Sequence, residues 1–311
     1  MDERLLGRTG IAVSRLILGC GNFGGIGSSP EFFGRGENEA EAFAIMDAAW
    51  ESGIRAFDTA DAYGGGRSET AIGKWIAARG VRPTLTTKTF NPMGPGADHG
   101  LAPARIRRQL ESSLARLGVE RVELFLTHEP DPDTPLEDTL GALDELHAEG
   151  LIGAFGGSNL DGATLRAAGG RYAWVQNSYS LLDRDAEAEV LPLCRAQGLG
   201  FTPFSPLAGG WLTGKYRRGE APPDGSRMTM RPGPYEHLRT DAVFDGLEAF
   251  ARAADERGVD SATLAFAWLL SSPDVTAVVV GPRRGAHLEP ALRALELELS
   301  ETERAELAAL L

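Results

Sequence analysis

Cysteine is scarce in this sequence, which contains only Cys20 and Cys194 among its 311 residues. The two lie in different segments and form no metal-binding or redox motif, so we predict two buried thiols rather than a disulfide. His, Cys and carboxylate residues also lack the spacings that bind zinc, and the sequence therefore predicts no metal site.

Long apolar runs and an excess of positive charge are missing as well. No stretch reaches about 20 apolar residues, the length of a membrane-spanning helix, and the polar start Met1–Arg4 has no apolar segment behind it. With 31 basic against 44 acidic residues, the net charge of −13 argues against nucleic acid or an anionic membrane as a partner. We expect a cytoplasmic protein, and the sequence carries no signal for its oligomeric state.

Eight short apolar runs alternate with helical patterns, and no linker is long enough to separate domains. The runs are Leu16–Leu18, Ala56–Thr59, Leu85–Lys88, Val122–Thr127, Ala154–Gly157, Trp174–Asn177, Phe201–Pro203 and Thr276–Val280. Repeated strand–helix units favour a closed parallel (β/α)₈ TIM barrel over an open sheet. We therefore predict that residues 1–311 form one α/β barrel domain.

Turn-rich segments complete the predicted architecture. Thr9-Gly10 within Arg4–Val13 indicates an N-terminal β-hairpin placed to plug the bottom of the barrel. Glu31–Gly36 and Arg217–Tyr235 are rich in Gly and Pro, and they predict long strand-to-helix loops on the active-site face.

The capping residues of one helix predict where it begins. In Thr134-Pro135-Leu136-Glu137 the Thr can cap the helix, the Pro suits the first helical position and the Glu can complete a capping box. We predict a helix that begins there and ends at Gly150, because Gly is a common C-terminal stop.

Four proton-handling side chains lie at or just after the ends of predicted strands. They are Asp58 and Tyr63 in FDTADAYGGGRSE, Lys88 in TLTTKTF and His128 in LFLTHEP. The loops that follow the strands of a barrel gather on one face, so we expect these four residues to meet there.

The four side chains together suit the protonation of a carbonyl oxygen while a nucleophile attacks the carbon. A phenol with a pKa near ~10 donates a proton poorly unless a cation stabilises its phenolate. We predict that Lys88 is this cation, that Asp58 keeps it charged and that His128 orients the carbonyl or relays the proton. Each residue alone also has a structural explanation, such as an ion pair or a core histidine.

A glycine-rich motif, Gly19-Cys20-Gly21-Asn22-Phe23-Gly24, follows the first predicted strand and matches the dinucleotide pattern G-x-G-x-x-G. A Rossmann site needs a helix to open there, but helical periodicity begins only near Glu37, so we reject that fold. In the barrel interpretation Gly21 and Asn22 let the backbone approach a cofactor and substrate. A flexible loop is the alternative.

Two local basic clusters contrast with the acidic background. One comprises Lys215–Arg218 with Arg227 and Arg231, and the other is Arg283-Arg284. Both follow the last two predicted strands, where barrels frequently bind phosphate. We therefore predict a phosphorylated ligand, with solubilising surface arginines as the alternative.

Several motifs, in this order along nearly the whole chain, resemble the aldo-keto reductase superfamily. They are GCGNFGG, FDTADAYGGGRSE, the lysine strand, LTHEP, GGSN, VQNSYS and FSPLAGGWLTGKY. Residues 121–216 are most similar to the branch of aflatoxin-aldehyde-type reductases and voltage-gated potassium-channel β subunits. The resemblance implies hydride transfer from a nicotinamide cofactor to a small aldehyde or ketone, with Tyr63 as general acid.

The resemblance also implies residues that hold the cofactor. Ser158, Asn159 and Gln176 lie where the family binds the nicotinamide carboxamide, and Phe204 takes the place of a stacking aromatic residue. The diphosphate would be contacted by Ser205, Leu207, Gly209 and Lys215. Arg227 matches a family arginine near the adenosine 2′-phosphate.

The last cofactor segment, GPRRGAHLEPA, departs from the family pattern, which often places Gln, Glu and Asn around the adenosine. This chain has His287, Pro290 and Ala291 there. We predict that Arg283 and Arg284, which follow Gly281, compensate by binding the 2′-phosphate. This implies a preference for NADPH.

Aromatic residues in the strand-to-helix loops are candidate walls of a substrate pocket. They are Phe23, Phe90 and Trp211, with Phe32, Phe33 and Tyr235 as further candidates. They predict an apolar or aromatic carbonyl substrate, although sugars remain possible and each ring has loop packing as its alternative explanation.

Two other functions stay open at this stage. A regulatory or redox-sensing module that holds NADPH with little turnover is permitted by the resemblance to channel β subunits, which keep their tetrad. A barrel isomerase or lyase acting on a phosphorylated metabolite would explain the basic loops but not Ser158, Asn159 and Gln176.

Overall fold

Ten strands are present in the computed structural model, which describes residues 1–311. An antiparallel hairpin is formed by β1 (Glu3–Leu5) and β2 (Ala12–Ser14). The parallel strands are β3 (Leu16–Gly19), β4 (Ala56–Asp58), β5 (Thr84–Thr89), β6 (Val122–Thr127), β7 (Ile152–Ser158), β8 (Trp174–Gln176), β9 (Gly200–Phe201) and β10 (Val278–Val280). All eight predicted strands are confirmed, with bounds that differ by at most two residues.

The parallel strands curl into a closed (β/α)₈ barrel. Their order is β10-β3-β4-β5-β6-β7-β8-β9, so each strand lies beside its neighbour in the chain. Two backbone hydrogen bonds join the ends of this row: Thr276 N–H donates to Phe201 O at 2.9 Å, and Val279 N–H donates to Pro203 O at 3.0 Å. The predicted fold class is confirmed.

Helices follow the barrel strands. They are α1 (Glu39–Glu51), α2 (Arg67–Arg79), α3 (Pro103–Leu117), α4 (Leu136–Ala148), α5 (Gly162–Ala167), α6 (Val190–Gln197), α7 (Arg227–Met230), α8 (Asp241–Glu256), α9 (Ser261–Leu270), α10 (Glu289–Ala294) and α11 (Glu301–Ala308). The start of α1 is fixed by a capping box between Asn38 and Glu41. None of the helices combines the length and apolarity needed to cross a membrane.

The start of α4 differs from the prediction in one respect. Pro135 rather than Thr134 is the residue at the N-cap position, and no side chain caps the helix there. Pro135 has an extended ψ of 131°, so the helix begins at Leu136, one residue later than a Thr cap would place it. The predicted end is confirmed, since Gly150 has a positive φ of 77° just after the helix.

Apolar side chains form two layers, one inside the barrel and one between the strands and the helices. The inner layer comprises Leu6, Val13, Ile17, Ala56, Leu124, Leu126, Ala154, Trp174, Ala277 and Val279. Leu6 and Val13 belong to the hairpin segment, which therefore closes the lower end of the barrel as predicted. Gly7 permits this close approach, because a Cβ there would lie 2.1 Å from Gly200 N.

The loops above the barrel carry little regular structure. Between β3 and α1 the chain forms only a short 3₁₀ turn, Pro30–Phe32, so no helix opens after the glycine motif and the Rossmann alternative is wrong. The predicted loop Arg217–Tyr235 contains α7 and leads into a second 3₁₀ turn, Gly233–Leu238. Both cysteines are buried and unpaired, as predicted.

Candidate active site

Strand β4 and the loop after it place two of the predicted catalytic side chains. Asp58 is the last residue of β4, and Tyr63 opens a 3₁₀ turn that continues into three glycines with positive φ, Gly64 to Gly66. A side chain at Gly64 would meet the backbone of Gly24 at 2.8 Å. The glycines therefore let the Tyr63 loop pack directly on the loop after β3.

The structure brings Asp58, Tyr63, Lys88 and His128 together at the upper end of the barrel. Lys88 Nζ donates to Asp58 Oδ1 at 2.5 Å and to Tyr63 Oη at 3.3 Å. Tyr63 Oη lies 3.5 Å from His128 Nε2. The phenol is thus held between an ammonium and an imidazole, which is the arrangement that protonates a substrate oxygen.

Burial controls the protonation of these groups. It raises the pKa of the Tyr63 phenol above its ordinary value, and the opposing effect of Lys88 does not outweigh it. Burial alone would lower the pKa of Lys88, but Asp58 and Tyr63 raise it above its ordinary value. Tyr63 therefore holds its proton and Lys88 its charge at neutral pH, and Lys88 limits the rise rather than lowering the phenol pKa outright.

His128 is a neutral imidazole. Burial, followed by the charge of Lys88, lowers its pKa well below the ordinary value. Its Nδ1 is buried without a hydrogen-bond partner, while Asn159 Nδ2 donates to its backbone oxygen at 3.0 Å. A neutral ring can donate one hydrogen bond toward a carbonyl oxygen without competing for the proton of Tyr63.

Two buried carboxylates beside the tetrad were not predicted. Asp61 accepts hydrogen bonds from Thr89 Oγ1 at 2.6 Å and from Ala62 N at 2.6 Å, and burial raises its pKa to about 7. Glu69 pairs with Arg116 Nε at 2.7 Å. Asp61 lies three residues after Asp58 in one motif, so its position was a usable signal, whereas the partners of Glu69 become evident only in the fold.

The three polar residues expected at the nicotinamide lie next to the tetrad. Ser158 and Gln176 pair across β7 and β8, and Gln176 Nε2 donates to Asp58 Oδ2 at 2.8 Å. Asn159 Nδ2 lies 3.3 Å from Ser158 Oγ, and Asn159 has a left-handed φ of 57°. Asn is one of the few residues other than Gly that adopt this conformation readily, and here it turns the chain directly after β7.

The segment after β9 forms a second unusual backbone, in which Ser205 and Ala208 also have positive φ, 55° and 46°. Ser205 Oγ lies 3.1 Å from Tyr235 Oη, and a Cβ at Gly209 would meet the Tyr235 ring at 2.6 Å. This packing holds the segment that contains Phe204, Leu207 and the short 3₁₀ turn Ala208–Thr213.

Three cations from two loops lie close together: Lys215 and Arg227 follow β9, and Arg283 follows β10. We call Lys215, Arg227 and Arg283 the basic cluster. Burial and then the charges of Arg227 and Arg283 lower the pKa of Lys215. Burial also lowers the pKa of Arg227, with Arg231 and Arg283 adding to the effect. Mutual repulsion of this kind marks a region that an anion would stabilise.

Neighbouring groups orient the basic cluster. Arg227 Nη2 donates to Asn22 Oδ1 at 3.1 Å, which brings together two predicted cofactor residues that are 205 positions apart. Arg283 Nε donates to Glu37 Oε1 at 2.7 Å. Glu37 was not singled out from the sequence, because nothing in its surroundings there indicates an arginine 246 residues away.

The other predicted cofactor residues lie on the same face. A Cβ at Gly21 would lie 3.5 Å from the Tyr63 ring, so the loop passes directly over the catalytic phenol. Gly281 begins the exposed loop after β10. In that loop Arg284 Nε donates to His287 Nε2 at 2.8 Å.

The predicted pocket walls need correction. Phe23 and Trp211 are each only 1% exposed, and Trp211 packs against Tyr216 and Phe244. These two rings anchor the loops in the core, because their large apolar surface gains most from complete burial. Phe90 is half-buried and contacts His99 edge to face.

A cavity of about 590 Å³ lies away from the tetrad. It lies outside the barrel, between the loop after His128 and helices α4 and α5. Its walls are Leu101, Pro130, Asp131, Pro132, Thr134, Leu136, Thr139, Leu160, Ala163, Thr164, Ala167 and Tyr172. The converging polar groups at the barrel mouth, rather than cavity size, locate the candidate site.

Comparisons with known proteins agree with this geometry. The model of the aldo/keto reductase family matches residues 15–311. The uncharacterized oxidoreductase YrpG of Bacillus subtilis is 38% identical, over 97% of this chain and 93% of its own. A probable voltage-gated potassium channel β subunit of Arabidopsis thaliana is 32% identical, over 96% and 92%. The NADH-specific methylglyoxal reductase of Escherichia coli is 31% identical, over 97% and 96%.

A match over nearly the full length, together with relatives above 30% identity, establishes the relationship. The relatives include both oxidoreductases and channel β subunits, as the motifs predicted. The general chemistry of such proteins is nicotinamide-dependent carbonyl reduction. The chain belongs to the aldo/keto reductase family.

Proposed function

We propose that this protein reduces an aldehyde or ketone to an alcohol with NADPH, and that Tyr63 is the general acid. The observation that carries the proposal is the Tyr63 hydroxyl, which lies 3.3 Å from Lys88 Nζ and 3.5 Å from His128 Nε2. These contacts hold the phenol at the barrel mouth, where substrates of barrel enzymes bind.

Each tetrad residue has a distinct part in the proton transfer. Tyr63 holds a proton at neutral pH and gives it to the carbonyl oxygen as negative charge develops there. Lys88 stabilises the phenolate that remains, and Asp58 fixes Lys88 through the 2.5 Å contact. His128, neutral, donates a hydrogen bond to the same oxygen and so orients the carbonyl.

A nicotinamide cofactor fits the residues beside the tetrad and would supply the hydride. Ser158, Asn159 and Gln176 offer a hydroxyl and two amides at the ends of β7 and β8, which matches the donors and acceptors of a carboxamide. The left-handed φ of Asn159 turns the chain directly after β7 and keeps its amide beside Ser158.

A phosphate-rich ligand fits the other half of the site. Lys215 and Arg227 make no ion pair with a carboxylate, and their charges repel each other. With Ser205, Leu207 and Gly209 in the strained segment nearby, they would hold the diphosphate and the 2′-phosphate. Arg284 and His287 would extend this contact toward the adenosine. This donor set favours NADPH over NADH.

The proposal is tested by titrating the purified protein with NADPH and NADH while intrinsic tryptophan fluorescence is followed. We expect saturable quenching by both and tighter binding of NADPH. NADPH oxidation is then measured with a panel of carbonyl compounds that includes methylglyoxal, aromatic aldehydes and aldoses. Binding of neither cofactor would rule the proposed function out.

A second function, a module that senses the redox state by retaining NADPH, is favoured by the 32% identity to channel β subunits. The two functions differ in rate and not in binding. Turnover slower than the release of NADPH with every carbonyl tested, combined with cofactor that survives gel filtration, would favour the sensor. Rapid steady-state oxidation of NADPH with any carbonyl would favour the reductase.

A further inference from the structure

Glu37 is a buried carboxylate in contact with the basic cluster. It is 4% exposed, and Arg283 Nε donates to its Oε1 at 2.7 Å. Its other oxygen, Oε2, is buried and has no hydrogen-bond partner. An unpartnered buried carboxylate oxygen is costly, so its retention here calls for an explanation.

The backbone fixes Glu37 in this position. Its N–H donates to Asn22 O at 2.9 Å, and Gly24 N–H donates to Glu37 O at 2.8 Å. The side chain of Asn22 in turn accepts from Arg227 at 3.1 Å. Glu37 is therefore anchored to Asn22, whose side chain contacts Arg227. It lacks the conformational freedom of an exposed surface carboxylate.

Glu37 reduces the charge and the number of free hydrogen-bond donors with which Arg283 could bind another anion. Arg283 already uses Nε for Glu37 and Nη1 for Gly225 O, at 2.6 Å. Its charge is partly neutralised by the contact with Glu37, and a phosphate that approached Arg283 would meet the negative carboxylate as well. Like charges brought close together oppose binding.

We propose that Glu37 is a specificity-determining residue that limits the preference of this site for a 2′-phosphate over a free ribose hydroxyl. The inference rests on the proposed cofactor site, and it adds that the negative charge of Glu37 reduces the preference of this site for NADPH over NADH. NADH carries a ribose hydroxyl where NADPH carries phosphate, so the negative charge of Glu37 acts against NADPH alone.

The test measures binding without turnover. Isothermal titration calorimetry compares adenosine 2′,5′-bisphosphate with adenosine 5′-monophosphate, and NADPH with NADH, on the wild type and on Glu37→Gln. Gln keeps the acceptor oxygen for Arg283 but removes the charge. We expect the two ligands with a 2′-phosphate to bind on the order of tenfold more tightly at low salt, with little change for the other two.

Matched variants separate charge from shape. Glu37→Asp keeps the charge and should keep the wild-type ratio, whereas Glu37→Met is neutral and should shift the ratio in the same direction as Glu37→Gln. Glu306→Gln removes the same unit of charge from an exposed position on α11 and should change nothing. The gain of Glu37→Gln should shrink as ionic strength rises.

The outcomes distinguish this inference from the proposed function. If wild type and variants bind the four ligands with the same ratios, the function stands and the role of Glu37 is overturned. If neutral variants lose affinity for the 2′-phosphate, Glu37 only positions Arg283, and the inference is again overturned. If no protein binds any of the four, the proposed function fails and the inference fails with it.

Discussion

The tetrad and the basic cluster lie on one face of the barrel but differ in electrostatic balance. In the tetrad, the buried Lys88 has Asp58 at 2.5 Å and the Thr59 carbonyl at 2.9 Å, so its charge is satisfied by the protein itself. In the basic cluster, three cations share one carboxylate, and burial and repulsion lower the pKa of Lys215 and Arg227. The first region is complete without a ligand, whereas the second gains stability from an anion.

The difference reflects the two functions, proton transfer and anion binding. A group that transfers a proton must be held in one protonation state before the substrate arrives, so its surroundings are satisfied in advance. A group that binds an anion gains most when its own counter-charges are few. Changes in the two regions should therefore separate catalysis from cofactor binding.

The largest effect is expected from Tyr63→Phe, which breaks the tetrad and leaves the basic cluster intact. Loss of the phenol proton should lower kcat by about 10²–10⁴-fold, the usual contribution of a general acid. Affinity for NADPH, measured by fluorescence titration, should stay within about twofold of wild type. Retained carbonyl reduction would refute the role given to Tyr63.

Lys88→Met should destabilise the protein as well as lower activity. It leaves Asp58 buried without its cation, and removal of one partner of a buried pair costs about 3–5 kcal/mol. Urea unfolding of wild type, Lys88→Met and the double variant Lys88→Met/Asp58→Asn measures this. The double variant should recover part of the loss, because its buried amide is uncharged, and equal stability of all three would contradict the expectation.

Asp61→Asn should change how stability depends on pH. The folded pKa of Asp61, about 7, exceeds the unfolded value near ~3.9, so the folded state binds more protons and its stability falls as pH rises from about 4 to 7. The loss of stability above pH 7 amounts to about 4 kcal/mol. Asn carries no such charge.

Unfolding of Asp61→Asn and wild type is therefore compared at pH 5, 6, 7 and 8. The difference in unfolding free energy should move in favour of Asn as pH rises to about 7 and then level off. Glu129→Gln should show the same trend, because burial also raises the pKa of Glu129 to about 7. A difference that does not vary with pH would mean that Asp61 stays ionised in the folded protein.

The smallest effect is expected from Arg227→Ala, which alters the basic cluster and spares the tetrad. Loss of a charged hydrogen-bond donor should weaken NADPH binding roughly 10–100-fold and NADH binding much less. Titration of both cofactors measures the ratio, and kcat at saturating NADPH should stay near wild type. Equal weakening for both cofactors would show that Arg227 does not face the 2′-phosphate.

Much of the fold could be predicted, because the apolar pattern of a barrel strand lies within a few neighbouring residues. Val122–Thr127 is a mainly apolar run, interrupted by Glu123, that the structure reproduces residue for residue, and Gly150 ends α4 as its backbone freedom implies. The cap at Thr134 was wrong because Pro135 keeps an extended ψ of 131°, so the helix begins only at Leu136.

The site was only partly predictable. Asp58, Tyr63, Lys88 and His128 could be named because each lies near the end of a strand or in the loop that follows it. The carboxylates Glu69 and Glu37 could not, since their arginines lie 47 and 246 residues away. The exposure of aromatic rings could not be predicted from the sequence either. Trp211 lies in a segment between strand and helix, but Tyr216 and Phe244 pack over it.

The sequence by itself determined the barrel, the family and the identities of the proton-handling residues, because strand patterning and motif order are local properties of the chain. The tertiary structure decided the protonation state of Tyr63, the orientation of Arg283 and the burial of Phe23 and Trp211. These depend on desolvation and on charges that become neighbours only when the barrel closes, and both act through distance in space rather than along the chain.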